Sequence, residues 1–102
     1  MLRHDGVIVI MSSSLIQRTS VEAKVGRSRS AIFADMASGI LPTPVAKFGN
    51  VNLWSSAEID EVVAARAAGC GDDLVREIIK TQLARRKTSK AEIVARLQLQ
   101  AA

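Results

Sequence analysis

Apolar residues at helical spacing begin the interpretable part of the chain. Val21 and Val25 are four residues apart and therefore share one side of a helix. Thr19 or Ser20 supplies an N-cap hydroxyl in front of them. Gly26 follows, and glycine suits the left-handed conformation that ends many helices. The pattern predicts a short first helix that starts at one of these two hydroxyl residues.

A second helix is predicted immediately after this turn, over roughly residues 29–38. Ser28 is its N-cap residue, because a serine side chain can accept from the free amides of the first turn. Ile32 and Met36 are four residues apart and form its inward stripe. Gly39 closes the helix.

A change from helical to strand-like sequence follows. The two prolines of Ile40–Pro44 exclude a helix, since proline lacks an amide donor and restricts its neighbour. Two β-prone runs, 45–48 and 51–54, then flank Gly49 and Asn50. Short β-prone runs around a two-residue turn containing glycine predict a β-hairpin.

The C-terminal half predicts three more helices. Two S-x-x-E sequences, Ser55 to Glu58 and Ser89 to Glu92, match the capping box that starts a helix. Asp72 or Asp73 caps the helix between them, which ends at the basic run 85–87, where cations suit the helix dipole. The predicted apolar stripes are Ile59, Val62 and Val63, then Leu74, Val75, Ile78, Ile79 and Leu83, then Ile93, Val94 and Leu97.

Composition fits one modest domain. The chain has 102 residues, of which only three are aromatic, so its core must be mainly aliphatic. The net charge of +4 favours polyanionic partners. Cys70 is the only cysteine and lies between two glycines, which indicates a small structural residue in a reducing compartment. Apolar runs are far shorter than the ~18 residues that span a bilayer, so we expect a cytoplasmic protein without membrane contact.

Three segments are predicted: a flexible leader at 1–14, a domain at 15–66 and a helical extension at 67–102. Met11 precedes three serines and is an alternative to Met1 as the natural start. The apolar run 7–10 has high β-propensity, so it could instead pair with an exposed strand edge.

The segment from Val21 to Phe33 has the layout of a helix-turn-helix: short helix, glycine turn and second helix, with four cations in or near it. A hairpin and a capped third helix follow, as in a winged helix-turn-helix. The order of motifs over Leu15 to Ala65 resembles the AlpA-type prophage regulators and related excisionases, within the MerR-like winged-helix group. The residues that carry this resemblance are Gly26 to Phe33, Gly39, Pro42 to Val45, Lys47 to Gly49, Trp54 and Ser56 to Asp60.

The resemblance implies a mainly α fold with a small β-hairpin and extra C-terminal helices. It also implies that the second helix enters the major groove of DNA. The residues expected at that helix are Arg27, Ser28, Arg29, Ser30, Ala31, Phe33 and Ala34. Phosphate and wing contacts are expected from Arg18, Lys24, Lys47, Asn50 and Asn52, with Arg27 and Arg29 near phosphates as well.

Helical geometry adds detail to these expectations. With Ile32 and Met36 inward, Ser30, Ala31 and Ala34 fall on the outward face, and Arg29 in the first turn can donate two hydrogen bonds to guanine. The alternative is an ordinary solvated helix face. Because this face has few hydrogen-bonding groups, one domain should bind weakly, and specificity would need DNA shape or several copies side by side.

Three departures from the family pattern affect these expected contacts. Arg27 stands where the family usually has an apolar residue, and Phe33 replaces the usual tyrosine with its hydroxyl. The hairpin tip lacks the arginine often found there, which leaves Lys47 as the only cation of the wing.

Several residues outside the helix-turn-helix also have predicted roles, some with two alternatives. Arg85, Arg86, Lys87 and Lys90 form a second basic cluster, either a DNA-contacting tail or a helix end whose dipole they satisfy. Trp54 should anchor the core beneath the hairpin, with base stacking as the alternative. We expect core roles for Leu74, Ile78 and Ile79, and either disorder or protein contacts for Ile93 and Leu97.

These observations favour a DNA-binding protein of a mobile element over an enzyme. The only histidine is His4, and no cysteine–histidine cluster could hold zinc, so we expect no metal, cofactor or small-molecule substrate. The first hypothesis is an excisionase that bends attachment-site DNA, with self-association on double-stranded DNA and an integrase as partners. An AlpA-like transcriptional regulator is the alternative within this class. A small protein-interaction module, such as an antitoxin or adaptor, is the alternative of another class.

Overall fold

The computed structural model describes residues 14–101, which are mainly helical with a three-stranded antiparallel sheet. The strands are β1 (Leu15–Ile16), β2 (Ala46–Phe48) and β3 (Val51–Ser55). The helices are α1 (Arg18–Val25), α2 (Arg29–Ala37), α3 (Ser56–Ala67) and α4 (Asp72–Ala101). Residues 1–13 of the expected leader 1–14, with the β-prone run 7–10, lie outside the described residues, and the division into three segments stays a prediction.

The sheet has the order β1-β3-β2 and confirms the predicted hairpin. Lys47 is paired with Asn52 and Phe48 with Val51 across the Gly49–Asn50 turn. Sequence reasoning missed β1, whose two residues pair with the end of β3. Ser14, which was assigned to the leader, is fixed here because its carbonyl oxygen accepts from the Ser56 amide at 2.8 Å. The amide of Ser14 donates in return to the Ser56 hydroxyl at 2.8 Å.

The first helix begins earlier than predicted. Its first residue is Arg18, so Thr19 and Ser20 lie inside α1, and the prediction that one of them caps it is wrong. Gln17 takes the N-cap position, with no side-chain hydrogen bond to the helix among residues 14–101. Gly26 has φ of 71°, which confirms its predicted role, because non-glycine residues rarely adopt this left-handed conformation.

The α2 helix and its surroundings form the first of two core clusters. Ser28 caps α2 as predicted, since its hydroxyl accepts from the Ala31 amide at 3.3 Å. Trp54 confirms its expected role as a core anchor. Its side chain is buried, and the indole Nε1 donates to the Pro42 carbonyl at 3.0 Å. The buried members of this cluster are Val21, Ile32, Leu41, Trp54 and Ile59.

The second core cluster joins α3 to the first half of α4. Its buried members are Val62, Ala65, Val75 and Ile79. The predicted core role of Leu74 is wrong, because its side chain is 58% exposed, and Leu83 is exposed as well. Gln82 is buried instead. The buried side of α4 therefore differs from the predicted apolar stripe by a rotation about the helix axis that corresponds to about one residue.

Two predicted helix starts need correction. Ser55 does cap α3, since its hydroxyl accepts from the Glu58 amide at 3.3 Å. The reciprocal half of that capping box is absent among the described residues, because the Glu58 carboxylate pairs with Arg86 instead. The predicted start at Ser89 is wrong: α4 runs without interruption from Asp72 to Ala101. Serine and glutamate at this spacing are tolerated inside a helix, so the motif alone does not require a break.

Candidate nucleic-acid interface

The start of α2 is held in place by its cap and its turn. Gly26 turns the chain, and the Ser28 hydroxyl accepts a hydrogen bond from the Ala31 amide, one of the free amides at the helix start. Arg29, Ser30, Phe33 and Ala34 are all exposed on the outer side, as predicted. Ala31 is half-buried, which corrects its predicted place on the outward face.

Arg29 and Phe33 contact each other along this face. The guanidinium carbon of Arg29 lies 5.6 Å from the Phe33 ring centroid, within the range of a cation–π contact. The two residues are one helical turn apart, so each presents its side chain to the same side. The aromatic ring therefore restrains the arginine at the place where the helix start meets solvent.

A cleft of about 280 Å³ lies between the starts of α1 and α2 and the hairpin tip. Its lining is mostly polar and includes two asparagines of the hairpin, Asn50 and Asn52. Arg29 and Phe33 lie on one wall, and Arg18 lies on another. Five residues that the sequence analysis placed at DNA thus meet in one cleft: Arg18, Arg29, Phe33, Asn50 and Asn52.

Two further lining residues were missed from sequence. Gln17 and Thr19 enter the cleft because α1 begins at Arg18. A capping role for Thr19 would have engaged its hydroxyl with the helix backbone, whereas Thr19 is exposed inside α1. The sequence carries no local signal for this placement, because it depends on the contact between α1 and β3.

Three of the predicted phosphate ligands are engaged in ion pairs. Arg27 donates from Nε and Nη2 to the two carboxylate oxygens of Asp35, each at 3.1 Å. This side-chain hydrogen bonding, together with the negative charge of Asp35, raises the pKa of Arg27 above its ordinary value. Lys24 pairs with Asp60 at 2.9 Å, and Arg18 pairs with Glu22 one turn along α1.

Two cations on α1, α2 and the hairpin form no ion pair among the described residues. They are Arg29 on α2 and Lys47 on β2, and both side chains are exposed. Of the predicted cationic contacts here, these two can meet a phosphate or a base without first losing a carboxylate partner. The positive charge that this surface offers to DNA without breaking an ion pair therefore comes from Arg29 and Lys47, fewer residues than the number of its cations suggests.

The second basic cluster differs from the predicted helix end. Arg85 to Lys87 lie in the middle of α4, and Arg85 pairs with Glu61 at 2.7 Å. Arg86 donates from Nε to Glu58 at 2.9 Å and from Nη2 to the Thr43 carbonyl at 2.7 Å. These contacts join α4 to α3 and to the proline segment, so the helix-dipole reading of the cluster is wrong.

The other half of that cluster points to solvent. Lys87 and Lys90 are exposed and form no ion pair with any residue of the described range. The four cations thus divide into Arg85 and Arg86, which form ion pairs between α4 and α3, and Lys87 and Lys90, which form none among the described residues.

Comparisons with known proteins gave no match: no family model matches the sequence, and neither does a curated protein or a solved structure. Within residues 14–101, no group of three or more histidine, cysteine, aspartate or glutamate side chains could hold a metal ion. No helix of that range is long and apolar enough to cross a membrane.

Proposed function

We propose that the chain is a DNA-binding protein of the winged helix-turn-helix type, with α2 in the major groove and the β-hairpin as the wing. The cleft between α1, α2 and the hairpin carries this proposal. It gathers Arg29 and Phe33 with the hairpin amides of Asn50 and Asn52 on one polar, exposed face. Side-chain amides and guanidinium groups are the usual donors to base edges and phosphates.

The ion pairs refine this function. Because Arg18, Lys24 and Arg27 already have carboxylate partners, a phosphate must compete with Glu22, Asp60 or Asp35 for each of them. Surface pairs of this kind contribute little, typically ~0–1 kcal/mol, so exchange for phosphate is feasible but adds small net affinity. We therefore expect weak binding by one copy and a shallow salt dependence.

Weak direct readout favours a protein that shapes DNA. Few base contacts from α2 leave specificity to DNA deformability or to several bound copies. The excisionase role, with bending of an attachment site and an integrase as partner, fits these properties best. A transcriptional regulator of the AlpA type uses the same face. In either role the protein is cytoplasmic, is not an enzyme, and needs no cofactor or small-molecule substrate.

A protein-interaction module is the second candidate, and one observation favours it. Ile93, Val94 and Leu97 on the last part of α4 are exposed, with accessibilities of 55%, 43% and 59%. Exposed apolar side chains on one helix commonly mark a protein contact. An antitoxin or adaptor would use this helix and leave the α2 face without a role.

The deciding experiment is a footprint on the DNA that flanks the protein's own gene, followed by titration of the protected fragment. The double variant R29A/S30A should lose protection, since both residues lie on the exposed start of α2. Lys80→Ala is the matched control, because Lys80 is an exposed cation on α4 whose ion-pair partner is Glu77. Unchanged affinity of a folded R29A/S30A protein would exclude α2 as the reading element.

A second measurement separates the two DNA-binding roles. Gel mobility of circularly permuted fragments reports bending, and excision by the integrase of the same element is compared with and without the protein. Bending together with stimulated excision supports the excisionase role. A promoter footprint without bending supports the regulator.

A further inference from the structure

The side of α4 that packs on α3 continues along the helix beyond the core. Val75 and Ile79 are buried in the cluster that joins the two helices. Ile93 follows Val75 by about five complete helical turns. Leu97 follows Ile79 by the same interval, so both residues continue the buried side of the helix. Ile93 and Leu97 are nevertheless 55% and 59% exposed, and we call these two residues the distal stripe.

The distal stripe is exposed because α4 extends past the start of α3. Arg66 near the end of α3 pairs with Asp72 at the start of α4. Glu58 near the start of α3 pairs with Arg86, so the two helices run antiparallel and their contact ends there. Every side chain from 87 to 100 is exposed within the described structure. An isolated helix of this length is marginal in water, so packing of another segment on the stripe would stabilise it.

The N-terminal part of the chain is attached at the same end of α3. The Ser14 carbonyl accepts from the Ser56 amide, and the Ser14 amide donates to the Ser56 hydroxyl, each at 2.8 Å. Ser56 is the first residue of α3, and Glu58, the partner of Arg86, follows it by two residues. The attachment point of residues 1–13 is therefore close to the place where α4 extends past α3.

The sequence before this attachment point contains one apolar run, residues 7–10. Ile10 and Val7 precede Ser14 by four and seven residues, which an extended chain spans in at most ~13 Å and ~23 Å. Leu97 follows Arg86 by eleven residues, or ~16 Å along the helix axis. These lengths match, so the apolar run can reach the distal stripe while Ser14 stays bound to α3.

We propose that residues 7–10 pack on the distal stripe of α4 within the same molecule. The run consists of valine and isoleucine, whose side chains lose unfavourable contact with water when they cover Ile93 and Leu97. The attachment at Ser14 makes the contact intramolecular, and short tethers typically give effective concentrations of ~mM. A second copy or another protein must reach such concentrations in solution before it can compete.

This contact changes the meaning of the exposed end of α4. Ile93 and Leu97 are two of the three residues that favour a protein-interaction module, and cover by the apolar run would remove most of that support. The contact needs no DNA and leaves α2 and the hairpin free, so its test is separate from the footprint.

The first test is amide hydrogen exchange on the full chain without DNA. The variant carries Val7→Ser, Ile8→Ser, Val9→Ser and Ile10→Ser together. Protection of the amides of 90–98 should fall by roughly tenfold or more, because nothing then covers the distal stripe, while the amides of 75–82 should keep theirs. Equal protection of 90–98 in the native and variant proteins would overturn the proposal.

Two leucines of α4 provide a matched pair of variants. Leu97 belongs to the distal stripe, whereas Leu99 is 78% exposed and lies on the opposite side of the helix. Glutamine and leucine have similar helix propensity, so Leu97→Gln and Leu99→Gln differ mainly in which side becomes polar. Only Leu97→Gln should reproduce the loss of protection, and it should add nothing to the fourfold serine variant. Equal effects of the two glutamine variants would contradict the proposal.

A nitroxide label distinguishes contact within one molecule from contact between copies. The label is attached to Gly6→Cys, next to the apolar run, in a Cys70→Ser background. It should broaden the amide signals of 93–99 when label and isotope are on the same molecule, and should not when they are on different copies. Broadening between copies would assign the distal stripe to a second copy, and broadening of the sheet alone would assign the run to a strand edge. Either result would overturn the proposal, as would no broadening of α4.

Discussion

The guanidinium carbon of Arg29 lies 5.6 Å from the ring centroid of Phe33, one turn along α2. Phe33 is 43% exposed, so the ring is a partner for the arginine rather than part of the core. The phenyl ring has no hydroxyl with which to bind phosphate, and its face is in contact with the cation.

Phe33→Ala should weaken DNA binding through this restraint. An exposed cation–π contact contributes ~0.5–1 kcal/mol, which corresponds to a loss of affinity of roughly two- to fivefold. Arg29→Ala should cost ~1–3 kcal/mol, because it also removes the base or phosphate contact. Fluorescence anisotropy on the protected fragment at fixed salt measures both. Phe33→Tyr keeps the ring and adds a hydroxyl that can bind phosphate, so it should bind at least as tightly as the native protein. An undiminished affinity of folded Phe33→Ala would show that the ring has no part in binding.

Asp35→Asn should strengthen DNA binding. The Asp35 carboxylate accepts two hydrogen bonds from Arg27, and its charge is removed in the variant while its size is kept. Arg27 is then available to a phosphate, which should steepen the log–log salt dependence by about 0.9. Affinity titrations over a range of salt concentrations measure the slope. Arg27→Ala combined with Asp35→Asn should return the slope to the native value, and an identical slope in all three proteins would remove Arg27 from the interface.

The local features of the fold could be predicted from sequence, and the ion pairs could not. Gly26, Ser28 and the Gly49–Asn50 turn act within a few residues of themselves, so their chemistry is visible in the sequence. Lys24 and Asp60 are 36 residues apart and meet only because α1 packs against α3. No local pattern carries that information, and Lys24 was accordingly predicted to contact phosphate.

The α4 helix shows a second limit of sequence reasoning. Ser89 and Glu92 match a helix start, but nothing before Ser89 breaks the helix, since no glycine or proline intervenes. The buried side of α4 was also misassigned, because the predicted apolar stripe included Leu74 and did not include Gln82. Burial of Gln82 depends on acceptors supplied by α3, which the sequence of α4 cannot reveal.

Substitutions of Gln82 should separate packing from hydrogen bonding. Its Nε2 donates to the Glu58 carbonyl at 3.1 Å and to Glu61 Oε1 at 2.8 Å, while Oε1 has no partner within the described structure. Gln82→Ala leaves a cavity and should destabilise the fold by ~2–4 kcal/mol. Gln82→Met keeps the volume and removes the unpartnered oxygen, so its cost should be below ~1.5 kcal/mol. Urea denaturation measures both, and equal losses would mean that the hydrogen bonds outweigh the packing.

The Arg66–Asp72 ion pair should make the stability of the fold depend on pH in the acidic range. Arg66 donates to Asp72 at 2.7 Å across the α3–α4 turn, and this hydrogen bond lowers the pKa of Asp72 below its ordinary value. A carboxyl with a lower pKa in the folded chain stabilises the fold above its unfolded pKa, and this contribution is lost as the pH falls through the folded pKa. The melting temperature of the native protein should therefore fall more steeply below pH ~4 than that of Asp72→Asn. Arg66→Gln should flatten the profile in the same way, and the double variant should add nothing further. A native profile that overlays both variants below that pH would show that the ion pair is not formed in solution.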